Sequence, residues 1–144
     1  MNATFSFTKL VVDDLEKMSA YYQQVFGLKP LDRVQADIGI DPIDEIMLGK
    51  DSAFGPGSIM LLKFVDKPAP VPGAVILGFQ TDDLDALVDR VVESGGSIHV
   101  EVKQSDVAPV RVAFVVDPEG NHAECVQFLG EIKGADELGN LSGN

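Results

Sequence analysis

Residues 115–124, with the sequence VVDPEGNHAE, predict two β-strands joined by a tight turn. Pro118 fixes its own φ and favours an extended residue before it, while Gly120 accepts the positive φ that such a corner requires. Beyond the turn, His122 and Glu124 are two residues apart, so both side chains leave the same face of the second strand. That face is where a functional site is expected.

A strand followed by a capped helix is predicted twice along the chain. The first copy comprises a strand at residues 5–12, candidate N-caps Asp13 and Asp14, an apolar stripe at helical spacing, and a stop at Gly27. The second comprises a strand at 75–81, the candidate caps Asp82 and Asp83, another stripe, and Gly95 with Gly96. The second copy lies 69 residues after the first, and we expect both helices to have the same length. This constant offset indicates an internal duplication.

Further strand candidates after each helix give each half the order β-α-β-β-β. They lie at residues 28–36, 45–49 and 58–65 in the first half and at 97–103, 111–117 and 122–129 in the second. Residues 37–42 and 50–57, rich in Asp, Gly and Pro, are predicted loops. We therefore expect a single α+β domain over residues 1–130, with module one at 5–66, a stiff linker at 67–73 and module two at 74–129. Residues 131–144 are expected to form a flexible acidic tail.

Composition and charge exclude several classes of partner. No apolar run approaches the roughly 20 residues needed to cross a bilayer, so no membrane partner is expected. The net charge is −12 and the eleven Lys and Arg residues are scattered, which argues against binding to nucleic acid. No secretory signal is evident, and the single Cys125 fits a reducing compartment, so we expect a cytoplasmic protein.

Four short sequence motifs together resemble those of a known family. They are VDDLEKMSAYY at residues 12–22, FGL at 26–28, FQTDDL at 79–84 and DPEGN at 117–121. In this order and spacing, the chain resembles the vicinal oxygen chelate superfamily of glyoxalases, bleomycin-resistance proteins and extradiol dioxygenases. The resemblance implies two tandem β-α-β-β-β modules that form a cupped, mostly antiparallel sheet around a ligand pocket. It also implies a homodimer.

The same resemblance implies where a metal would bind. Metal-using members place four ligands inside the cup, and the matching positions here are Phe7, Ile76, Glu124 and either Leu61 or Met60. A divalent ion needs several N, O or S ligands from the protein, and only Glu124 supplies one of the usual kind. We therefore predict no cofactor. The alternative is a divalent metal held by Glu124 and His122, with His99 as a third ligand.

Glu124 has three interpretations. It is a vestigial ligand held by a hydrogen bond, or a general acid or base whose protonated form is favoured by desolvation in an apolar cup. In the third interpretation it pairs with a cation, and the candidates on strands expected to border the cup are Lys9, Lys63 and Arg111.

The predicted ligand contacts surround this carboxylate. They are Phe7, Lys9, Phe54, Leu61, Lys63, Ile76, Arg111 and His122. Phe54 lies in the Gly- and Pro-containing segment 52–57 and is a candidate lid over the cup, whereas Tyr21 and Tyr22 are expected to pack in the core.

The resemblance, together with these residues, implies a metal-independent protein that binds or transforms a small, largely apolar organic molecule. If it is an enzyme, we expect a lyase-type, isomerase-type or dioxygenase-like reaction with Glu124 as the acid-base group. One alternative is a metal-dependent glyoxalase, dioxygenase or thiol-transferase. A second is a non-catalytic structural or regulatory dimer whose cup is packed shut.

Overall fold

A computed structural model of the chain describes residues 2–51 and 54–130. Within these ranges the elements are, in order, β1 (Phe7–Val11), α1 (Leu15–Phe26), β2 (Lys29–Ile38), β3 (Asp41–Gly49), β4 (Ser58–Phe64), β5 (Ile76–Gln80), α2 (Leu84–Glu93), β6 (Ser97–Gln104), β7 (Val110–Val116) and β8 (His122–Phe128). The predicted α+β class and the β-α-β-β-β order of each module are confirmed. The tail predicted at residues 131–144 lies outside the described ranges.

The strands form two four-stranded sheets with equivalent topology. Their strand orders are β1-β4-β3-β2 and β5-β8-β7-β6. In each sheet the first and last strands of the module pair in parallel, and the other neighbours pair antiparallel. Consequently β1 and β5 are outer strands of their sheets, as are β2 and β6 at the opposite edges, and each has one edge without ladder hydrogen bonds to a neighbouring strand in that sheet.

Both helices begin as the sequence predicts. The side chain of Asp14 accepts a hydrogen bond from the backbone N–H of Lys17 at the start of α1, and Gly27 ends that helix at a φ of +70°. Asp83 caps α2 in the same way, by accepting from the N–H of Ala86.

The two helices were expected to be equal in length, but this prediction is wrong, because α1 has 12 residues and α2 has 10. The chain leaves α2 at Ser94 and then passes close to β7. A Cβ at Gly96 would lie 2.7 Å from the carbonyl oxygen of Val116 and 2.8 Å from Val91 Cγ1. The glycines that looked like a simple helix stop therefore also permit this close approach.

The predicted loop at residues 37–42 is also wrong. The β2–β3 ladder continues through the pair Asp37 and Pro42, and only Gly39 and Ile40 form the turn. Gly39 adopts a φ of +63°, which a two-residue hairpin turn favours. Pro42 has no N–H, but its carbonyl still accepts a hydrogen bond from Val65 N at 3.0 Å.

A continuous apolar core joins both helices to one face of each sheet. Its fully buried members include Met18 and Val25 of α1 and Val91 of α2. In β4, Ile59 and Leu61 belong to this core, so Met60 and Leu62 lie on the opposite face. We name that opposite face of each sheet the helix-free face. No helix within the described ranges is long and apolar enough to cross a membrane.

The turn at 117–121 links the two modules through a buried carboxylate. Asp117 is 5% exposed, and its Oδ2 accepts a hydrogen bond of 2.8 Å from the hydroxyl of Tyr22 in α1. Its Oδ1 accepts from the backbone N–H groups of Glu119 and Asn121, both at 2.9 Å. This one side chain therefore stabilises its own turn and fixes the helix of module one against module two.

Glu119 forms a second link from the same turn. Its two carboxylate oxygens accept hydrogen bonds from the backbone N–H groups of Asp13 and Asp14, at 2.7 Å and 2.8 Å. These donors lie at the start of α1, where a negative charge is favoured by the helix dipole. The turn that dominates the sequence pattern is thus a structural clamp between modules.

Candidate ligand-binding site

A cleft of about 590 Å³ lies between the outer strands β1 and β5. We name it the intermodule cleft. Its apolar lining includes Phe5, Phe7, Phe26, Leu28, Ile76 and Phe79, and its polar lining includes Thr8, Lys50, Ser58 and Gln80. Two predicted ligand contacts, Phe7 and Ile76, therefore lie in one cavity although they are 69 residues apart in sequence. They occupy equivalent positions at the starts of β1 and β5.

Phe54, the predicted lid residue, lies against the edge of this cleft. Its ring centroid is 4.9 Å from that of Phe7 in a tilted arrangement. The two side chains remain 43% and 39% exposed, so this aromatic pair is open to solvent. The neighbouring residues 52 and 53 of the predicted lid loop lie outside the described ranges.

Glu124 lies on the helix-free face of β8. Ala123 and Cys125 on either side of it belong to the core, which fixes the direction of the carboxylate. Its register partners are Gly78 on β5 and Phe114 on β7. It is half-buried and forms no hydrogen bond or ion pair with residues 2–51 or 54–130. Glu124 was expected to lie in an enclosed apolar cup, but its side chain is only half-buried on this face.

Lys9, one proposed cation partner of Glu124, binds another carboxylate. Its Nζ lies 3.0 Å from Oε2 of Glu45 on β3, which the sequence interpretation did not single out. The side chain of Glu45 is only 6% exposed, against 36% for Lys9. Lys9 does point to the helix-free face as expected, but its charge is already neutralised in module one. The Lys9–Glu124 pair is therefore wrong.

Lys63 and Arg111 were expected to border the cup, but both lie on the helix side of their strands. Lys63 Nζ donates a hydrogen bond to the carbonyl oxygen of Asp13 beside α1. Arg111 binds Asp85 of α2 through two N–H···O contacts of 2.9 and 3.1 Å. These hydrogen bonds raise the pKa of the Arg111 guanidinium and lower the pKa of the Asp85 carboxyl. Both cations therefore bind groups at or beside the helices, and neither pairs with Glu124 as predicted.

Leu61 is likewise on the helix side, where it is fully buried in the core. Of the two registers weighed for β4, the structure has the one that places Met60 on the helix-free face, next to Lys9 in the ladder. The apolar run from Ile59 to Leu62 in β4 has no alternation from which to choose between them.

His99 and His122 meet on the helix-free face of module two, with ring centroids 5.0 Å apart. The ladder between β6 and β7 is irregular between Ile98 and Val100, which is where His99 lies. Sequence alone gave no reason for this approach, because a bulge cannot be read from a regular strand pattern.

The metal implied by the family resemblance does not fit these residues. Three of the four expected positions carry Phe7, Ile76 and Met60, leaving Glu124 as the one carboxylate. Within residues 2–51 and 54–130 no three His, Cys, Asp or Glu side chains come together as a ligand set. The His99 and His122 pair supplies two nitrogens at most. We therefore derive no chemical step through a metal.

The residues behind Glu124 are titratable but buried in the core. Burial, followed by the charge of Glu124, raises the pKa of the Cys125 thiol to about 12. Burial and then Asp117 likewise raise the pKa of Tyr21 and of Tyr22. These groups stay protonated near neutral pH, and Tyr21 and Tyr22 pack in the core as expected.

Residues 4–125 match the family model described as the glyoxalase/bleomycin resistance protein/dioxygenase superfamily. The chain belongs to this superfamily, and the resemblance predicted from its sequence motifs is confirmed. No match is found among curated proteins.

Solved structures of this family share the fold. The chain is 24% identical to glyoxalase I from Zea mays, with a TM-score of 0.68 over 86% of this chain and 44% of the maize chain. It is 20% identical to a glyoxalase family protein from Bacillus cereus, with a TM-score of 0.74 over 90% and 97%. A domain from Frankia sp. EAN1pec gives 18% and 0.69 over 96% and 99%. The chain thus spans less than half of maize glyoxalase I, and these low identities show the fold alone.

Proposed function

We propose that this protein binds a small, largely apolar organic molecule in the intermodule cleft, and that it does so without a metal ion. The observation that carries the proposal is the cleft itself, with about 590 Å³ between two outer strands and several aromatic side chains in its lining. Ligand sites of proteins typically have volumes of roughly 300–1,000 Å³ and combine an apolar lining with a few polar groups. Thr8, Ser58, Gln80 and Lys50 supply such groups here.

Metal independence is supported by the donor chemistry of the site. Phe7, Ile76 and Met60 stand at positions where metal-using relatives are expected to carry ligands. A lone carboxylate cannot offset the cost of removing water from a divalent ion. The superfamily fold would then serve here as a container for an organic molecule.

Binding is tested by thermal unfolding in the presence of a panel of small aromatic and amphipathic molecules. A ligand that binds the folded state raises Tm with the logarithm of its concentration. Ile76→Trp would fill the cleft from β5 and abolish this rise. Ile40→Trp is the matched control, because Ile40 is 96% exposed on the β2–β3 turn and remote from the cleft lining.

Two results would overturn the binding proposal. One is a complete panel that leaves Tm unchanged, which would favour the structural or regulatory dimer instead. The other is a stabilising compound whose effect survives Ile76→Trp unchanged, since its site would then lie elsewhere.

Metal content is measured by elemental analysis of protein purified without chelator. We expect no stoichiometric zinc, nickel, iron or manganese. The 5.0 Å approach of His99 and His122 is the one observation in favour of the metalloenzyme alternative. A stoichiometric ion that is lost in Glu124→Gln or His122→Ala would replace the metal-free proposal with that alternative.

A catalytic form of this function depends on Glu124. This carboxylate lies on the helix-free face of β8, and no described residue donates a hydrogen bond to it. If the bound molecule is transformed, Glu124→Gln should abolish turnover while leaving binding of neutral molecules intact, and the activity should depend on one carboxyl group in its pH profile. Turnover that persists in Glu124→Gln would exclude this role.

We also propose a homodimer in the cytoplasm, as the family resemblance and the lone cysteine led us to expect. Sedimentation equilibrium measures the first part directly. A monomer at all accessible concentrations would remove the dimer from the proposal without affecting the cleft.

A further inference from the structure

The two outer strands that border the cleft differ in side-chain charge at one position on the helix-free face. Lys9 on β1 pairs in the ladder with Met60, and Gly78 on β5 pairs with Glu124. Gly78 lies 69 residues after Lys9, at the offset that relates the two modules. The duplicated scaffold therefore carries a long cationic side chain in one half and no side chain in the other.

In module one this position is filled. Lys9 reaches Glu45 at 3.0 Å, and Met60 and Leu62 beneath the pair are 6% and 2% exposed. The carboxylate of this half is thus buried and already has its cation. It has little capacity to recognise a charged group of a ligand.

In module two the equivalent position is open. A Cβ built on Gly78 would meet no atom within 4 Å, although Gly78 lines the cleft. Its φ is not among the positive values of the chain, so the backbone does not require glycine there. Glycine inside a strand costs stability and often marks a place where a ligand approaches closely. Gly78 thus places no side chain beside Glu124, its ladder partner, which itself lies just outside the lining of the cleft.

Glu124 supplies the chemistry beside that space. It is half-buried, and no residue in 2–51 or 54–130 donates a hydrogen bond to it, not even His122 on the same face. A carboxylate partly removed from water is stabilised by a cation or a hydrogen-bond donor. The net charge of −12 also attracts cations and repels anions at long range.

We propose that the ligand is an organic cation, whose apolar body lies in the intermodule cleft and whose protonated amine binds Glu124 through the space left by Gly78. Gly78 is then the specificity-determining residue that admits the charged head. This inference rests on the proposed function, since it assumes an occupied cleft. Lys50 also lines the cleft, so an anionic head is the competing arrangement.

Three probes that share a naphthalene ring distinguish a cationic from a neutral or anionic head group. They are 1-naphthylmethylamine, 1-naphthalenemethanol and 1-naphthoate. Their affinities are measured by isothermal titration calorimetry with the intact protein. We expect the amine to bind about tenfold more tightly than the alcohol, as one charge-assisted hydrogen bond contributes, and the carboxylate to bind most weakly. Glu124→Gln should reduce the affinity for the amine to that for the alcohol and leave the alcohol unchanged.

Gly78→Leu should weaken binding of the amine by about tenfold and remove its preference over the alcohol, because the leucine side chain would occupy the open space beside Glu124. Gly130→Leu is the matched control, since Gly130 lies away from the cleft lining and its nearest contact is 4.0 Å from the added Cβ. Far-ultraviolet circular dichroism establishes that both variants fold. If Gly78→Leu does not fold, Gly78→Ala together with Glu124→Gln carries the same comparison.

The outcomes separate this inference from the function it rests on. Equal affinities for the three probes, tighter binding of 1-naphthoate, or an amine preference that survives Glu124→Gln would overturn the cation inference and leave a cleft that binds apolar molecules. Absence of binding for all three probes and for the wider panel would overturn the proposed function itself.

Discussion

The helix-free faces of the two modules share a topology and differ in what fills them. In module one, Glu45, Met60 and Leu62 are 5%, 6% and 2% exposed, and Lys9 neutralises the buried carboxylate. In module two, Glu124 and its neighbours His122 and Val126 along β8 are all only half-buried. One half therefore uses this face for packing, while the other keeps it accessible.

This difference shows how a duplicated scaffold can divide two tasks. The helix side must remain apolar in both modules because both helices pack on it. No helix packs on the other side, so residues there can differ between the modules while the helix contacts stay the same. The Lys9/Gly78 and Met60/Glu124 differences lie at equivalent ladder positions of the two halves.

The largest effect is expected where the two halves are clamped together. Asp117→Ala would leave the Tyr22 hydroxyl and the N–H groups of Glu119 and Asn121 without their shared acceptor. We expect the free energy of unfolding to fall by about 3 kcal/mol, measured by urea denaturation. Asp106→Ala on an exposed loop is the control and should change it by less than about 0.5 kcal/mol. Equal effects would mean that the clamp does not support the comparison.

An intermediate effect is expected from the carboxylates that distinguish the halves. Lys9→Met would leave Glu45 buried without its cation, which should lower the free energy of unfolding by about 1–2 kcal/mol, since Lys9 itself is partly exposed. Glu124→Gln should change it by less than about 0.5 kcal/mol, because no described residue depends on that carboxylate. Urea denaturation of both variants measures the contrast. If Glu124→Gln is as destabilising as Lys9→Met, the two halves are not filled and open in the way described.

The smallest expected effect is a loss of folding stability at alkaline pH. It arises from Cys125, which lies on the face of β8 opposite to Glu124. Burial raises the pKa of Cys125 from 9.0 to about 12, so the folded state holds this proton more tightly than the unfolded chain. The stabilisation from this shift is fully present below about pH 9 and is lost as pH rises towards 12, and the loss by about pH 9.5 is less than about 1 kcal/mol. Urea denaturation between about pH 7 and pH 9.5 should show this decline in the wild type and less of it in Cys125→Ala. The same slope in both proteins would contradict it.

Thiol reactivity provides an independent check on Cys125. Because the side chain is fully buried and protonated, a disulfide reagent should modify it only when the protein unfolds. Reaction in native buffer at the rate of a free thiol would place Cys125 on the accessible face with Glu124.

The sequence predicted the elements better than their faces. Asp14, Gly27 and Asp83 identify the helix ends because capping is local chemistry, and the internal offset of 69 residues identifies the repeated module. The register of β4 was ambiguous because residues on both faces of this strand are buried from Ser58 to Leu62. A one-residue difference in register exchanges Leu61 for Met60, and with it the interior of the core for the helix-free face.

The candidate site was predictable only in part, for a related reason. Phe7 and Ile76 were predicted from the family resemblance and Glu124 from the strand after the turn, whereas Glu45 and the approach of His99 to His122 depend on pairings between strands. Lys63 and Arg111 were misplaced because a strand residue has two possible directions, and only the position of the helices decides between them.

The sequence by itself determined the α+β class, the duplication, the helix caps and the turn at 117–121, because each depends on residues close together in the chain. The strand after this turn also predicted a site at His122 and Glu124. Tertiary structure decided that Asp117 and Glu119 of this turn clamp α1, that Lys9 is bound to Glu45, and that Gly78 leaves Glu124 open. These outcomes depend on contacts between distant segments, which form only when both modules pack on one core.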